Sequence, residues 1–146
     1  MSSPKVERLR MSDESGSAFL DTSVVVRYLT DDPPHLAERA AEIIESEDPR
    51  IVSELVLVEV AYVLTSVYGV ARAATVDALQ TLIRRRNLKL LSLSKPAALE
   101  ALSLCRDSGR VSFADAMQWA QAREIGPLRV YTFDRRFSDL RVVVLD

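Results

Sequence analysis

Cysteine and histidine are almost missing from this sequence. Cys105 is the only cysteine and His35 the only histidine among 146 residues. This scarcity excludes an internal disulfide and a zinc site of the Cys/His kind. A Ser-His or Cys-His relay would have to use His35, which we predict to be a solvated residue in the first turn of a helix, because it follows two prolines in DDPPHLAER. Carboxylates are therefore the main catalytic groups that the chain offers.

Long apolar runs and a surplus of positive charge are also absent. The most hydrophobic stretch, residues 55–64, is interrupted by Glu59, so no run reaches the length of a membrane span. The opening MSSPKVERLRMSDESGS is polar and lacks the apolar core of a signal peptide, so we expect a cytoplasmic protein. The net charge of −2 gives no general attraction to nucleic acid. Any nucleic-acid binding must therefore be local.

What remains fits a single domain. Residues 1–17 carry almost no bulky apolar side chains and are predicted to form a flexible N-terminal tail. From residue 18 to residue 146, short apolar runs alternate with longer segments of helical period. This alternation predicts an α/β fold in which a parallel sheet of four to five strands is flanked by helices on both faces.

The predicted strands lie at residues 18–20, 50–53, 88–93, 128–133 and 141–145. Helices are predicted at residues 34–47, 55–68, 72–86, 96–106 and 112–124, with a short helix after Asp21.

Two acids stand at the ends of predicted strands. Asp21 follows the first strand in AFLDTSVVVRYL, and Asp134 ends the strand in VYTFD, with Thr132 two residues earlier on the same side. Because ligands of open α/β sheets bind beyond the carboxyl ends of the strands, we expect both acids at one edge. The alternative for each is a capping role in the turn that follows.

Two further acids lie in predicted helices. Glu59 is the only charge in LVLVEVAYVLTSVY, and an isolated carboxylate on such a face must reach a cation or solvent, or shift its pKa. The alternative is a glutamate on a narrow wet edge of the helix. Asp115 follows Ser112 by three residues, a spacing that resembles a capping box. An acid in a first helical turn can cap the helix and still point an oxygen at a metal.

Four carboxylates in one place require a cation. At about 4 Å and an effective dielectric of about 20, each like-charged pair costs about 4 kcal/mol. Oxygen ligands favour hard ions, so Mg²⁺ or Mn²⁺ is expected. Such an ion can activate water and polarise a phosphodiester.

Four segments together resemble a known family. LDTSVVVRYL, VSELVLVEVAYVL, SFADAMQWA and VYTFDRRF resemble, in order and separation, the motifs of PIN-domain nucleases, most closely the VapC-type toxins of toxin–antitoxin pairs. The resemblance covers residues 18–145. It implies a three-layer α/β/α fold, Mg²⁺ or Mn²⁺ as cofactor, and endoribonuclease activity on RNA. It also implies an antitoxin partner and a homodimer.

The resemblance also assigns residues by position. It implies an acidic quartet that binds the metal and catalyses cleavage, with two supporting polar residues: Asp21, Glu59, Asp115, Asp134, Ser23 and Thr132. Ser112 departs from the family, since many relatives carry a further acid there, so the number of metals stays open. Arg135 and Arg136 adjoin Asp134 and are hypothesised to hold the phosphates of the substrate.

The sequence leaves two other functions open. A Mg²⁺-dependent phosphatase or phosphoryl-transfer domain would use Asp21 as a nucleophile, but Ser23 and Val25 stand where such enzymes want Asp and Gly. A noncatalytic PIN-like interaction module would keep the fold without cutting. The four intact acids argue against that module.

Overall fold

A computed structural model describes residues 16–107, 109–126, 129–136 and 143–145. Nearly all of the predicted N-terminal tail, residues 1–15, lies outside this range. The described strands are β1 (Ala18–Phe19), β2 (Arg50–Val52), β3 (Leu88–Leu90), β4 (Tyr131–Thr132) and β5 (Val143–Val144). The described helices are α1 (Thr22–Thr30), α2 (Pro34–Ile44), α3 (Glu54–Tyr62), α4 (Arg72–Ile83), α5 (Lys95–Leu104) and α6 (Phe113–Ile125).

The strands pair in parallel throughout. β1, β2 and β3 form one sheet in that order, with Ala18 opposite Arg50 and Arg50 opposite Leu88. β4 and β5 form a second parallel pair, with Tyr131 opposite Val143. The α/β class is confirmed, although the described residues show three strands plus two instead of one sheet of four to five. The predicted strands at 128–133 and 141–145 lie partly outside the described residues.

Helix α3 occupies a central place among the helices. It packs against α1 on one side and α6 on another, while α5 packs against α6 and α1 against α2. Its inward side chains Leu57, Val60 and Ala61 are buried, as are Leu79 and Ile83 of α4. Burial of this kind contributes about 1.5–3 kcal/mol for each large side chain. The core therefore fixes α3 between the helices that carry the other candidate residues.

Both ends of α3 follow from local sequence. Ser53 is its N-cap and accepts a hydrogen bond from Leu55 N at 3.1 Å, which satisfies a free donor of the first turn. Beyond Tyr62 the helix continues as a π-helical turn over Val63–Val67. The hydroxyl of Thr65 donates to the Ala61 carbonyl at 2.8 Å there, and such side-chain bonds compete with the helical ladder. No helix in the described ranges is both long and apolar enough to cross a membrane.

Candidate active site

Asp21 lies where the sequence predicts it, just beyond β1. Its extended backbone makes it the N-cap of α1, and its exposed carboxylate accepts hydrogen bonds from Ser23 Oγ at 2.9 Å and Ser23 N at 3.4 Å. These bonds hold the pKa of Asp21 below its ordinary value, since they stabilise the charged form. The capping alternative is thus correct for this residue. It leaves an ionised carboxylate facing solvent at the edge of the sheet.

Glu59 reaches the same turn from α3. Its exposed carboxylate accepts a hydrogen bond from Thr22 Oγ1 at 2.5 Å, across 37 residues of sequence. Thr22 directly follows Asp21 and begins α1. The glutamate therefore lies on a wet edge of its helix, and that edge adjoins Asp21. The sequence gives no sign of this contact between Thr22 and Glu59, because no local pattern reveals a contact over this separation.

Glu54, a second acid of α3, has a structural role that the sequence analysis does not predict. Its side chain is 5% exposed, and Oε1 accepts hydrogen bonds from Ser92 N at 2.8 Å and Leu93 N at 2.6 Å. These bonds tie the first turn of α3 to the loop that follows β3. Because Glu54 and Glu59 share one helix, this tie also fixes Glu59 relative to the carboxyl edge of the sheet. A first-turn acid is usually exposed, so the sequence alone gave no signal for its burial.

Asp115 stands half-buried in the first turn of α6. Ser112 is the N-cap and accepts a hydrogen bond from Asp115 N at 3.0 Å, which confirms the predicted cap. The side chain of Asp115 also interacts electrostatically with Arg136, and together with Asp134 it raises the pKa of that guanidinium. Asp115 is thereby associated with the turn after β4.

Asp134 follows β4, as predicted, and its carboxylate is held by a residue of its own turn. Arg136 Nε and Nη2 donate to Oδ1 and Oδ2 at 2.9 and 2.8 Å, and Arg136 N donates to Oδ1 at 3.0 Å. The guanidinium holds the pKa of Asp134 below its ordinary value. Thr132 Oγ1 accepts a hydrogen bond from Asp134 N at 3.0 Å, so Thr132 lies beside Asp134, and its supporting role stays a prediction. The exposed Arg135 and Arg136 keep their phosphate-binding role only as a prediction.

The four acids thus form two pairs. Asp21 and Glu59, the first acidic pair, are joined through Thr22, which follows Asp21 and donates to Glu59. Asp134 is hydrogen-bonded by Arg136, whose guanidinium also interacts electrostatically with Asp115, and Asp115 and Asp134 form the second acidic pair. Helix α3 packs against both α1 and α6, which carry one member of each pair. Within the described ranges, no three carboxylate, cysteine or histidine side chains are close enough to hold one metal ion. The expected single pocket of four acids is therefore not formed by these side-chain positions.

Comparison with protein families decides the identity of the fold. A family model described as PIN domain matches residues 18–143. The chain belongs to the PIN-domain family. PIN domains are generally nucleases that typically bind divalent metal ions, and this membership supports a nucleic-acid-cleaving role. No curated protein gives a significant match to the sequence.

The donor chemistry of this PIN domain fits a hard divalent ion. The two acidic pairs and their hydroxyl neighbours offer oxygen donors, which Mg²⁺ and Mn²⁺ prefer. Cys105 is fully buried, and burial raises the pKa of its thiol to about 11, so it stays protonated and takes no part. His35 is exposed in the first turn of α2, as predicted. The carboxylates remain the residues that would hold a metal.

Proposed function

We propose that this PIN domain is a Mg²⁺- or Mn²⁺-dependent endoribonuclease whose metal ligands and catalytic residues are Asp21, Glu59, Asp115 and Asp134. The observation that carries the proposal is the hydrogen bond from Thr22 to Glu59. It brings acids from two distant segments to one turn at the carboxyl edge of the sheet, where α/β proteins bind their ligands.

In this proposal, side-chain movement closes the two acidic pairs around one ion. Asp21 and Glu59 are exposed, and the Asp134 side chain is 31% exposed, so each can change rotamer without disturbing the core. Four carboxylates repel one another, and a divalent cation removes that cost. Helix α3 supplies the common frame, because it packs against the helices of both pairs.

Individual residues of the chain then have distinct roles in the reaction. When bound, the ion supplies an activated water and stabilises charge on the phosphate. Ser23 keeps Asp21 ionised and oriented, and Thr22 orients Glu59 by donating to its carboxylate. Hydrogen bonds of this kind fix the direction of metal ligands. Arg135, next to Asp134, is proposed to contact the phosphates of the RNA.

The choice of RNA and the toxin assignment extend this proposal. Both rest on the VapC-type resemblance of the four motifs, which also leads us to propose an antitoxin encoded alongside, a homodimer and a cytoplasmic location.

Leu55 and Tyr62, which flank Glu59 on α3, are 67% and 65% exposed. Apolar side chains left in water beside a site are typical of protein-binding surfaces. This exposure supports a protein partner close to the acids.

Purified, partner-free protein tests the activity. We expect it to cut structured and unstructured RNAs internally with Mn²⁺, to leave DNA of the same sequences intact, and to stop when EDTA is added. Turnover of a phosphomonoester with no effect on RNA would favour the phosphatase alternative instead. Folded protein that binds Mn²⁺ yet cuts no RNA would favour the noncatalytic module.

The gene neighbourhood tests the toxin assignment separately. We expect a small adjacent reading frame whose product binds the protein and blocks cleavage. Cleavage that is unaffected by the product of every adjacent frame would overturn the toxin assignment and leave the nuclease proposal in place.

A further inference from the structure

One arginine fills most of the acceptor positions of Asp134. Oδ1 accepts from the backbone N and from Nε of Arg136 at 3.0 and 2.9 Å, and Oδ2 accepts from Nη2 and Nε at 2.8 and 3.2 Å. A carboxylate offers about four lone-pair positions in all. Two-point contact between a guanidinium and a carboxylate is also among the stronger polar interactions of proteins.

The same guanidinium lies within electrostatic range of Asp115. Arg136 therefore places one positive charge on the carboxylate of Asp134 and within electrostatic range of Asp115. The first acidic pair differs, because Asp21 and Glu59 accept hydrogen bonds from the neutral hydroxyls of Ser23 and Thr22 and from the backbone N–H of Ser23. A divalent ion approaching the second pair meets both an occupied carboxylate and a like charge.

We propose that Arg136 competes with the divalent ion for Asp134 and so sets the metal affinity of the site. The inference rests on the proposed function, because it takes Asp134 as a metal ligand. Arg136 can leave: its side chain is 60% exposed and its contact with Asp134 closes within two residues of chain. Surface pairs of this kind contribute little to stability, so exchanging the guanidinium for an ion disturbs no core packing.

A role of Arg136 in orienting Asp134 predicts the opposite change in metal affinity. If the guanidinium held Asp134 in the direction that the metal needs, its removal would weaken metal binding. If it competes, its removal strengthens metal binding. The sign of the change in affinity therefore separates the two.

Mn²⁺ titration of the full-length protein makes the measurement without any nuclease assay. Calorimetry and the loss of free Mn²⁺ signal in electron paramagnetic resonance both report the Kd. For Arg136→Ala we expect Mn²⁺ to bind about tenfold more tightly than in the unchanged protein, the size of effect that outer-shell changes produce at metal sites. Arg136→Lys keeps the charge but loses the two-point contact, so a smaller gain is expected.

Arg39→Ala is the matched control. Arg39 pairs with Glu42 at 2.9 Å on the exposed face of α2, so this variant also removes one arginine from a carboxylate. It should leave the Mn²⁺ affinity unchanged. An equal gain in Arg39→Ala would show a general charge effect and overturn the inference. Circular dichroism confirms that each variant is folded, and Arg136→Gln provides a second neutral replacement.

The outcomes separate this inference from the proposed function. Unchanged or weaker Mn²⁺ binding in Arg136→Ala and Arg136→Gln overturns the competition, while cleavage by the unchanged protein leaves the nuclease standing. Absence of Mn²⁺ binding in every folded variant overturns both.

Discussion

The two acidic pairs differ in what holds them, and the difference shows what each contributes. Asp21 and Glu59 are bonded by neutral donors and keep two negative charges. Asp134 is bonded by the guanidinium of Arg136, which also interacts electrostatically with Asp115, so a positive charge offsets part of the negative charge of the second acidic pair. The first acidic pair therefore attracts a cation more strongly. The net charge of the second acidic pair depends on whether Arg136 stays on Asp134.

Removing one carboxylate from either pair should have the largest effect. For Asp21→Asn and Asp115→Asn we expect RNA cleavage to fall by more than about 100-fold, because a metal ligand is lost, with weaker metal binding. Metal-free stability should change little, because asparagine still caps α1 at position 21. Cleavage assays and thermal melting check the two parts.

Asp31→Asn serves as the control for these variants. Asp31 is exposed and has a positive φ of 57°, a conformation that asparagine tolerates well. The Asp31→Asn variant should cut RNA at the same rate as the unchanged protein. Full activity in Asp21→Asn or Asp115→Asn would count against the contribution of that pair.

Glu54 tests whether α3 is the fixed frame that both pairs need. Glu54→Ala should lower the free energy of unfolding by about 3 kcal/mol, because two backbone N–H groups lose their charged acceptor. Glu54→Gln should cost about 1 kcal/mol, since its amide oxygen can still accept. Urea unfolding gives both values. Equal losses in the two variants would contradict the hydrogen-bonding explanation.

Thr22 sharpens the contrast from the side of the first acidic pair. Thr22→Val keeps the branched shape but removes the donor to Glu59, so Mn²⁺ should bind about tenfold more weakly. Thr30→Val, which removes a hydroxyl bonded to the Val26 carbonyl in the same helix, is the control and should bind normally. Neutral donors would then support metal binding where Arg136 opposes it. Equal affinities in both threonine variants would remove that contrast.

The smallest expected effect is on the pKa of Asp21. Ser23→Ala removes the main cause of its lowered pKa, which should rise toward the ordinary aspartate value. A lowered pKa stabilises the fold above the ordinary value, and this contribution is lost as the pH falls through the lowered pKa. The variant's deficit in stability should therefore appear near neutral pH and vanish in acid.

Carbon NMR of the carboxyl groups measures these pKa values directly. In Ser23→Ala the pKa of Asp134 should stay low, because Arg136 causes that shift; in Arg136→Ala it should rise. An unchanged pKa of Asp21 in Ser23→Ala would show that the hydroxyl does not stabilise this carboxylate.

Short-range patterns predicted the parts of the site that form within a few residues. The strand end before Asp21 and the cap of Ser112 over Asp115 are both present, because each depends on neighbours in sequence. The contacts of Glu59 and Glu54 span 37 and 38 residues, and no local pattern encodes them. The phosphate-binding role of Arg136 stays a prediction, since adjacency to Asp134 does not show which partner a guanidinium takes.

The strands show the same difference between local patterns and long-range contacts. Residues 18–20 and 50–53 were located to within a residue or two, because apolar runs mark buried strands. Which strands join one sheet depends on pairing between distant segments, so the separation of β4 and β5 from the other three was not foreseen.

Whether the two acidic pairs share an ion is decided most directly by Mn²⁺ stoichiometry in a double-mutant cycle of Asp21→Asn and Asp115→Asn. The account predicts that each single variant loses the same bound ion and that the double variant loses nothing further. Retention of part of the bound Mn²⁺ in each single variant, with additive loss in the double variant, would mean separate sites and would contradict it.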